Sequence, residues 1–134
     1  MTLHHKSALN LASMLGLRTT IYKVNELDKA REWYSEAFRT KPYFEEEFYV
    51  GFNIGGFELG LLPDPENDAP KGANVLSYWG VNDIEESYAH LLKLGAVTHE
   101  APNNVGGEIM VATVFDPWQN LIGIIFNPHF VISQ

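Results

Sequence analysis

The stretches VNELDKAREWY, residues 24–34, and VNDIEESYAHL, residues 81–91, are two versions of one phrase, 57 residues apart (81 minus 24). Each follows an apolar, strand-like run, LRTTIYKV at 17–24 and NVLSYWGV at 74–81. Each places an asparagine, Asn25 or Asn82, where a helix cap belongs and an acid three residues on, Asp28 or Glu85, near the positive end of the helix dipole. Leu27, Ala30, Trp33, Tyr34, Ala37 and Phe38 recur at helical spacing in the first copy, as do Ile84, Tyr88, Leu91 and Leu92 in the second. Gly95 is placed to end the second helix, because glycine enters the left-handed conformation of a helix C-terminus without steric cost.

Working outward, each helix is followed by strand signals. The first half gives FEEEFYVGFNI (44–54), a Gly55-Gly56 turn and FELGLL (57–62). The second gives AVTHEA (96–101), a Gly106-Gly107 turn, EIMVATVF (108–115), a DPWQN turn (116–120) and LIGIIF (121–126). The closing strands also align, ELGLL over LIGII, which sets Gly60 on Gly123 at an offset of 63 (123 minus 60). One strand–helix–three-strand unit cannot bury both sheet faces alone. The expectation is therefore an α+β fold in one domain, 1–134. Two βαβββ repeats, at about 17–62 and 75–128, pack edge to edge as a curved mixed-sheet half-barrel with a central cavity. The proline-rich piece PDPENDAPKGAN, 63–74, reads as the connector. Residues 1–16 read as an extension holding a short helix at 7–15 closed by Gly16, rather than a secretion signal.

Composition removes several function classes. The 134-residue chain carries 17 acidic against 9 basic residues, a formal charge of −8 that repels phosphate backbones and anionic membranes, so neither nucleic acid nor membrane is an expected partner. No apolar window approaches the roughly 20 residues of a membrane span. Without cysteine there is no disulfide, thiolate metal site or cysteine nucleophile, and a cytoplasmic location is expected.

Three phrases, 24–34, VNDI at 81–84 and FDPWQNLI at 115–122, resemble the vicinal oxygen chelate superfamily, which includes glyoxalase I, the extradiol dioxygenases, and the bleomycin and fosfomycin resistance proteins. The resemblance spans about 17–128; Asp116, Pro117, Asn120 and Leu121 match the family's turn, whereas Gln119 stands where glycine is usual. It implies four metal-ligand positions, two in each half, and these fall on Thr19, Gly60, Leu76 and Gly123. A divalent ion needs at least three imidazole or carboxylate donors in fixed geometry, so no metal ligand and no cofactor is expected. Glu58, two residues from Gly60 on the same strand face, is the only acid at that end. His4, His5, His90, His99 and His129 show no spacing that gathers them, and no strained-serine motif supports Ser-His-Asp catalysis.

Strand alternation then lines the cavity with Thr19, Ile21 and Lys23, with Leu76, Tyr78 and Gly80, with Glu58, Gly60 and Leu62, and with Leu121, Gly123 and Ile125. The glycines leave either a groove where a ligand approaches the backbone or a bend in the sheet filled by neighbouring aromatics. Trp118 rims the mouth or belongs to a subunit interface. The expected function is a metal-free protein that binds an apolar or cationic organic ligand through Thr19, Ile21, Lys23, Glu58, Gly60, Leu76, Tyr78, Leu121 and Gly123. The resemblance adds a homodimer with grooves between subunits. The alternatives are a lyase or dioxygenase whose metal is held by Glu58, His99 or His129, and a structural subunit with a collapsed cavity; catalysis itself stays open.

Overall fold

Alternation in the first strand separates two environments: Tyr22 and Val24 are buried, while Thr19, Ile21 and Lys23 on the opposite face are exposed. The same division runs through the computed structural model, which describes residues 17–72 and 75–130; the helix expected at 7–15, His4 and His5 lie outside them. The elements run β1 (Thr19–Val24), α1 (Leu27–Ala37), β2 (Phe44–Glu46), β3 (Tyr49–Ile54), β4 (Phe57–Pro63), β5 (Tyr78–Gly80), α2 (Ile84–Lys93), β6 (Val97–Asn104), β7 (Met110–Phe115) and β8 (Leu121–Phe126). They form two four-stranded mixed sheets, β1-β4-β3-β2 and β5-β8-β7-β6, one βαβββ unit each. Among the described residues no ladder joins the sheets into a barrel.

Both sequence offsets return as strand register. Ile21 lies opposite Gly60 in the parallel β1–β4 pair, and Tyr78, 57 residues later, lies opposite Gly123 in β5–β8. Each helix packs its apolar stripe on the inner face of the sheets. Tyr34, Phe52, Leu59, Leu61 and Ile122 are the largest apolar side chains fully enclosed there. Each such side chain contributes roughly 1.5–3 kcal/mol by leaving water.

The halves are tied across the pseudo-twofold by equivalent residues. Trp33 Nε1 of α1 donates to the Leu94 carbonyl at the end of α2 (2.7 Å), and His90 Nε2 of α2 donates to the Glu36 carbonyl in the last turn of α1 (2.9 Å). These two positions are again 57 apart, and the carbonyls they satisfy are among those a helix C-terminus leaves open. Trp79 Nε1 donates to the hydroxyl of Tyr22, its own counterpart (3.1 Å). The Tyr34 hydroxyl donates to Asp116 of the second half at 2.5 Å. That carboxylate also accepts the backbone N–H groups of Trp118 (2.8 Å) and Asn120 (2.7 Å), so one buried charge both shapes the DPWQN turn and locks it to the first helix. Gln119, in the glycine-favoured position of that turn, has φ +71°.

Three local expectations are corrected. The helix caps are Glu26 and Asp83 rather than Asn25 and Asn82; the Asp83 carboxylate accepts the Glu86 N–H, a charge-assisted bond that an asparagine one residue earlier does not make. The run FEEEFYVGFNI supplies two of the three strands expected after the first helix, turning at Glu47-Phe48 with no glycine or proline to announce it. β5 has only three residues, which leaves Leu76 ahead of the strand. β6 runs on to Asn104 through two register shifts. Gly95 does follow the second helix, with φ +98°.

Candidate functional site

The sheet face away from the helices carries the expected site positions, and the two glycines show how it is built. Register passes unbroken through Gly60 and Gly123, so neither is a bulge. A Cβ on Gly60 would collide with the hydroxyl and Cζ of Tyr49 and lie 2.8 Å from Ile21 Cδ1. A Cβ on Gly123 would lie 2.7 Å from both the Ser77 carbonyl oxygen and Tyr78 Cδ1. Each gap is taken by a tyrosine of the chain itself. Gly80 meets nothing within 4 Å.

In the first half the consequence is an acid–aromatic cluster. Gly51 and Gly60 are register partners, and with both side chains absent the Tyr49 ring lies down across them. Its hydroxyl thereby reaches Glu58 at 2.6 Å. The Tyr43 ring closes on the same spot, its Cε1 3.2 Å from where a Cβ on Gly51 would lie. Burial, reinforced by that carboxylate, pushes the Tyr49 hydroxyl well above its ordinary range, and the nearby Glu58 carboxylate raises Tyr43 as well. Phe44 stands between the two tyrosines, with ring centroids 6.4 Å from Tyr43 and 6.1 Å from Tyr49. Of this group the sequence had picked out only Glu58 and Gly60. Alternation would have added Tyr49 and Phe44, had the turn at Glu47-Phe48 been visible to split the run and set the register.

The second half is built differently at the equivalent place. Thr113 of β7 faces Gly123 and its hydroxyl is 2.9 Å from His99 Nδ1, whose ring meets Phe115 edge-on at 5.2 Å. A cleft of about 490 Å³ runs between β1, the connector and the start of β8. It gathers Thr19, Ile21, Lys23 and Leu121 of the expected residues, but Glu58, Gly60, Leu76, Tyr78 and Gly123 lie outside its lining. Lys71 of the connector enters it unannounced, since a lone lysine in a polar segment carries no signal. Its Nζ donates to the Lys23 carbonyl (2.7 Å), the Trp118 carbonyl (3.2 Å) and Asn120 Oδ1 (3.1 Å). All three N–H bonds are thus used in pinning the connector, and desolvation lowers its pKa. Trp118 is turned away from this cleft, edge-on to Trp33 at 6.1 Å beside α1.

The four positions that family resemblance assigns to metal ligands do not fit a divalent ion. They offer one hydroxyl, one aliphatic side chain and two bare backbones. Among the described residues no three His, Asp or Glu side chains come together as a metal group. Glu58, His99 and His129 are engaged separately: Glu58 with Tyr49, His99 with Thr113, and His129 Nε2 with the Gly107 carbonyl at 2.5 Å. No helix among the described residues is long and apolar enough to cross a membrane.

The same architecture is found in solved structures. A glyoxalase/bleomycin resistance protein/dioxygenase family enzyme from Burkholderia phytofirmans PsJN aligns over 84% of this chain and 98% of its own, with TM-score 0.71 and 14% identity. A glyoxalase-related enzyme from Fulvimarina pelagi covers 90% and 94%, with TM-score 0.72 and 16% identity. The fosfomycin resistance protein FosX from Listeria monocytogenes covers 88% and 96%, with TM-score 0.69 and 16% identity. At such identities the likeness is one of fold. No curated protein matches the sequence. The family profile described as Glyoxalase/Bleomycin resistance protein/Dioxygenase superfamily matches residues 16–124, most of the chain, and the protein belongs to that superfamily.

Proposed function

We propose that this chain binds a small organic ligand, apolar or cationic, on the helix-free face of its sheets, without a metal at the family's ligand positions. One observation carries this reading. The positions that would hold an ion have lost their donors, while the same face leaves large apolar and aromatic side chains open: Tyr43 is 62% exposed, and Ile21, Phe44 and Tyr78 are 40–41% exposed. A soluble domain rarely leaves so much apolar surface on one face without something to cover it. A second copy of the chain covering part of that surface, with the ligand groove between subunits, is the accompanying proposal, and sedimentation velocity checks it by distinguishing monomer from dimer. The cysteine-free composition supports a cytoplasmic location.

A thermal-shift panel of planar, aliphatic and cationic compounds tests the binding. A ligand that binds only the folded state and is present at 100-fold its Kd is expected to raise the melting temperature by about 5–10 °C. No shift from any chemotype, with sedimentation showing a monomer, would overturn the proposal.

A further inference from the structure

The geometry points to the cluster of Tyr43, Phe44, Tyr49 and Glu58 on the first sheet as a recognition site for an organic cation of the quaternary ammonium type. The inference rests on the small-molecule reading above and narrows it to one charge class and one half of the molecule.

The floor of the site is a carboxylate set low. Glu58 Oε2 would lie 2.9 Å from a Cβ on Gly51, so the missing side chain lets the acid rest against the strand. The Tyr49 hydroxyl donates to its Oε2 at 2.6 Å, and the Tyr43 ring stands beside it over Gly51. Tyrosine hydroxyls donate without neutralising, so the negative charge is fixed in place but not cancelled. The walls are three rings. Phe44 is inclined by 45° to Tyr43 and by 52° to Tyr49, with neighbouring centroids just over 6 Å apart. A cation within about 6 Å of ring faces is attracted by their quadrupoles, and an ammonium bearing methyl groups is weakly hydrated and loses little on entering an apolar wall.

Charge around the site favours the same occupant. Glu46 lies opposite Tyr49 in the β2–β3 ladder and so adds a second carboxylate to this face, whereas Glu45, on the other face, pairs with Arg31 of α1 at 3.7 Å. On β1, Thr19 is the residue opposite Glu58, and Lys23 lies at the far end of the strand opposite Leu62. The second half has no counterpart among the described residues: Thr113 takes the place of Gly51, and Leu121 that of Glu58.

Choline and its uncharged isostere 3,3-dimethylbutan-1-ol, titrated into the 15N-labelled protein, test the assignment. Choline is expected to shift the backbone amides of Tyr49, Gly51 and Gly60 saturably, with the alcohol at least about tenfold weaker. Glu58→Gln keeps an oxygen for the Tyr49 bond but removes the charge, and is expected to weaken choline about tenfold while leaving the β6–β8 amides unmoved. Tyr43→Leu, at an exposed position, gives a smaller loss without threatening the fold. Equal binding of choline and the alcohol, undiminished binding to Glu58→Gln, or no perturbation at any soluble choline concentration would each overturn the cation site. Shifts by either compound around Lys71 instead would sink it too, yet preserve the broader small-molecule reading, which falls only if the compound panel also fails.

Discussion

Gly60 and Gly123 occupy equivalent places, each on the last strand of its half and each opposite the first strand, but they are enclosed by different kinds of neighbour. Gly60 is covered by the far end of the Tyr49 side chain, reaching along the sheet from β3. Gly123 is hemmed in by the backbone of the chain entering β5, through the Ser77 carbonyl, and by the Tyr78 ring. A tyrosine fills both gaps, yet only the first can move aside by turning about its own bonds. The same absent side chain therefore makes an adaptable surface in one half and a fixed strand contact in the other.

Alanine at each position measures this difference. Gly123→Ala should cost about 3 kcal/mol, because β5 has only three residues of ladder with which to absorb a backbone shift. Urea denaturation of the purified variant checks it, and a loss equal to that of Gly60→Ala would break the comparison.

The next effect separates the halves by pH. Burial, eased by the bond from Trp79 and reinforced by Asp116, pushes the Tyr22 hydroxyl up to about 12, and burial with the Asp116 charge holds Tyr34 well above its ordinary value. Their counterparts 57 residues on, Trp79 and Leu91, do not titrate. A tyrosine whose folded-state pKa is raised stabilises fully below its unfolded value near 10. That contribution is lost as pH climbs from 10 through 12. For Tyr22 the loss is about 2–3 kcal/mol. Stability measured by urea across that window should fall, and Tyr22→Phe should flatten the decline; an unchanged slope in the variant would place the sensitivity elsewhere.

Gly60→Ala should be the mildest, about 1 kcal/mol, since lifting the Tyr49 ring relieves the clash. The lift breaks the bond to Glu58, so absorbance titration at alkaline pH should show one tyrosine returning toward its ordinary pKa. A large stability loss without that change would mean the ring does not yield.

Much of the fold was legible because the chain is written twice. A phrase repeated at 24 and 81, with terminal strands repeated at 58 and 121, fixes the order of elements whatever each propensity says, and the observed registers Ile21–Gly60 and Tyr78–Gly123 follow from those two offsets. Less was legible where no local signal marks a boundary. The Glu47-Phe48 turn is concealed inside an apolar and acidic run, and it was the register of β2 and β3 that carried Phe44 and Tyr49 to Glu58. The caps slipped by one residue: Asn82 stands beside an equally suitable Asp83, whereas Glu26 caps the first helix without a side-chain bond.

The sequence by itself determined the doubled βαβββ architecture, the superfamily resemblance and the absence of metal donors at four positions, since these depend on periodicity and residue chemistry along the chain. Only the tertiary structure decided what occupies the space beside each glycine, because that depends on which side chain crosses from the neighbouring strand. It also decided that His90, Lys71 and Asp116 are spent on holding the halves together: a buried or shielded polar group takes whatever partner the packing brings, and those partners lie 47 to 82 residues away.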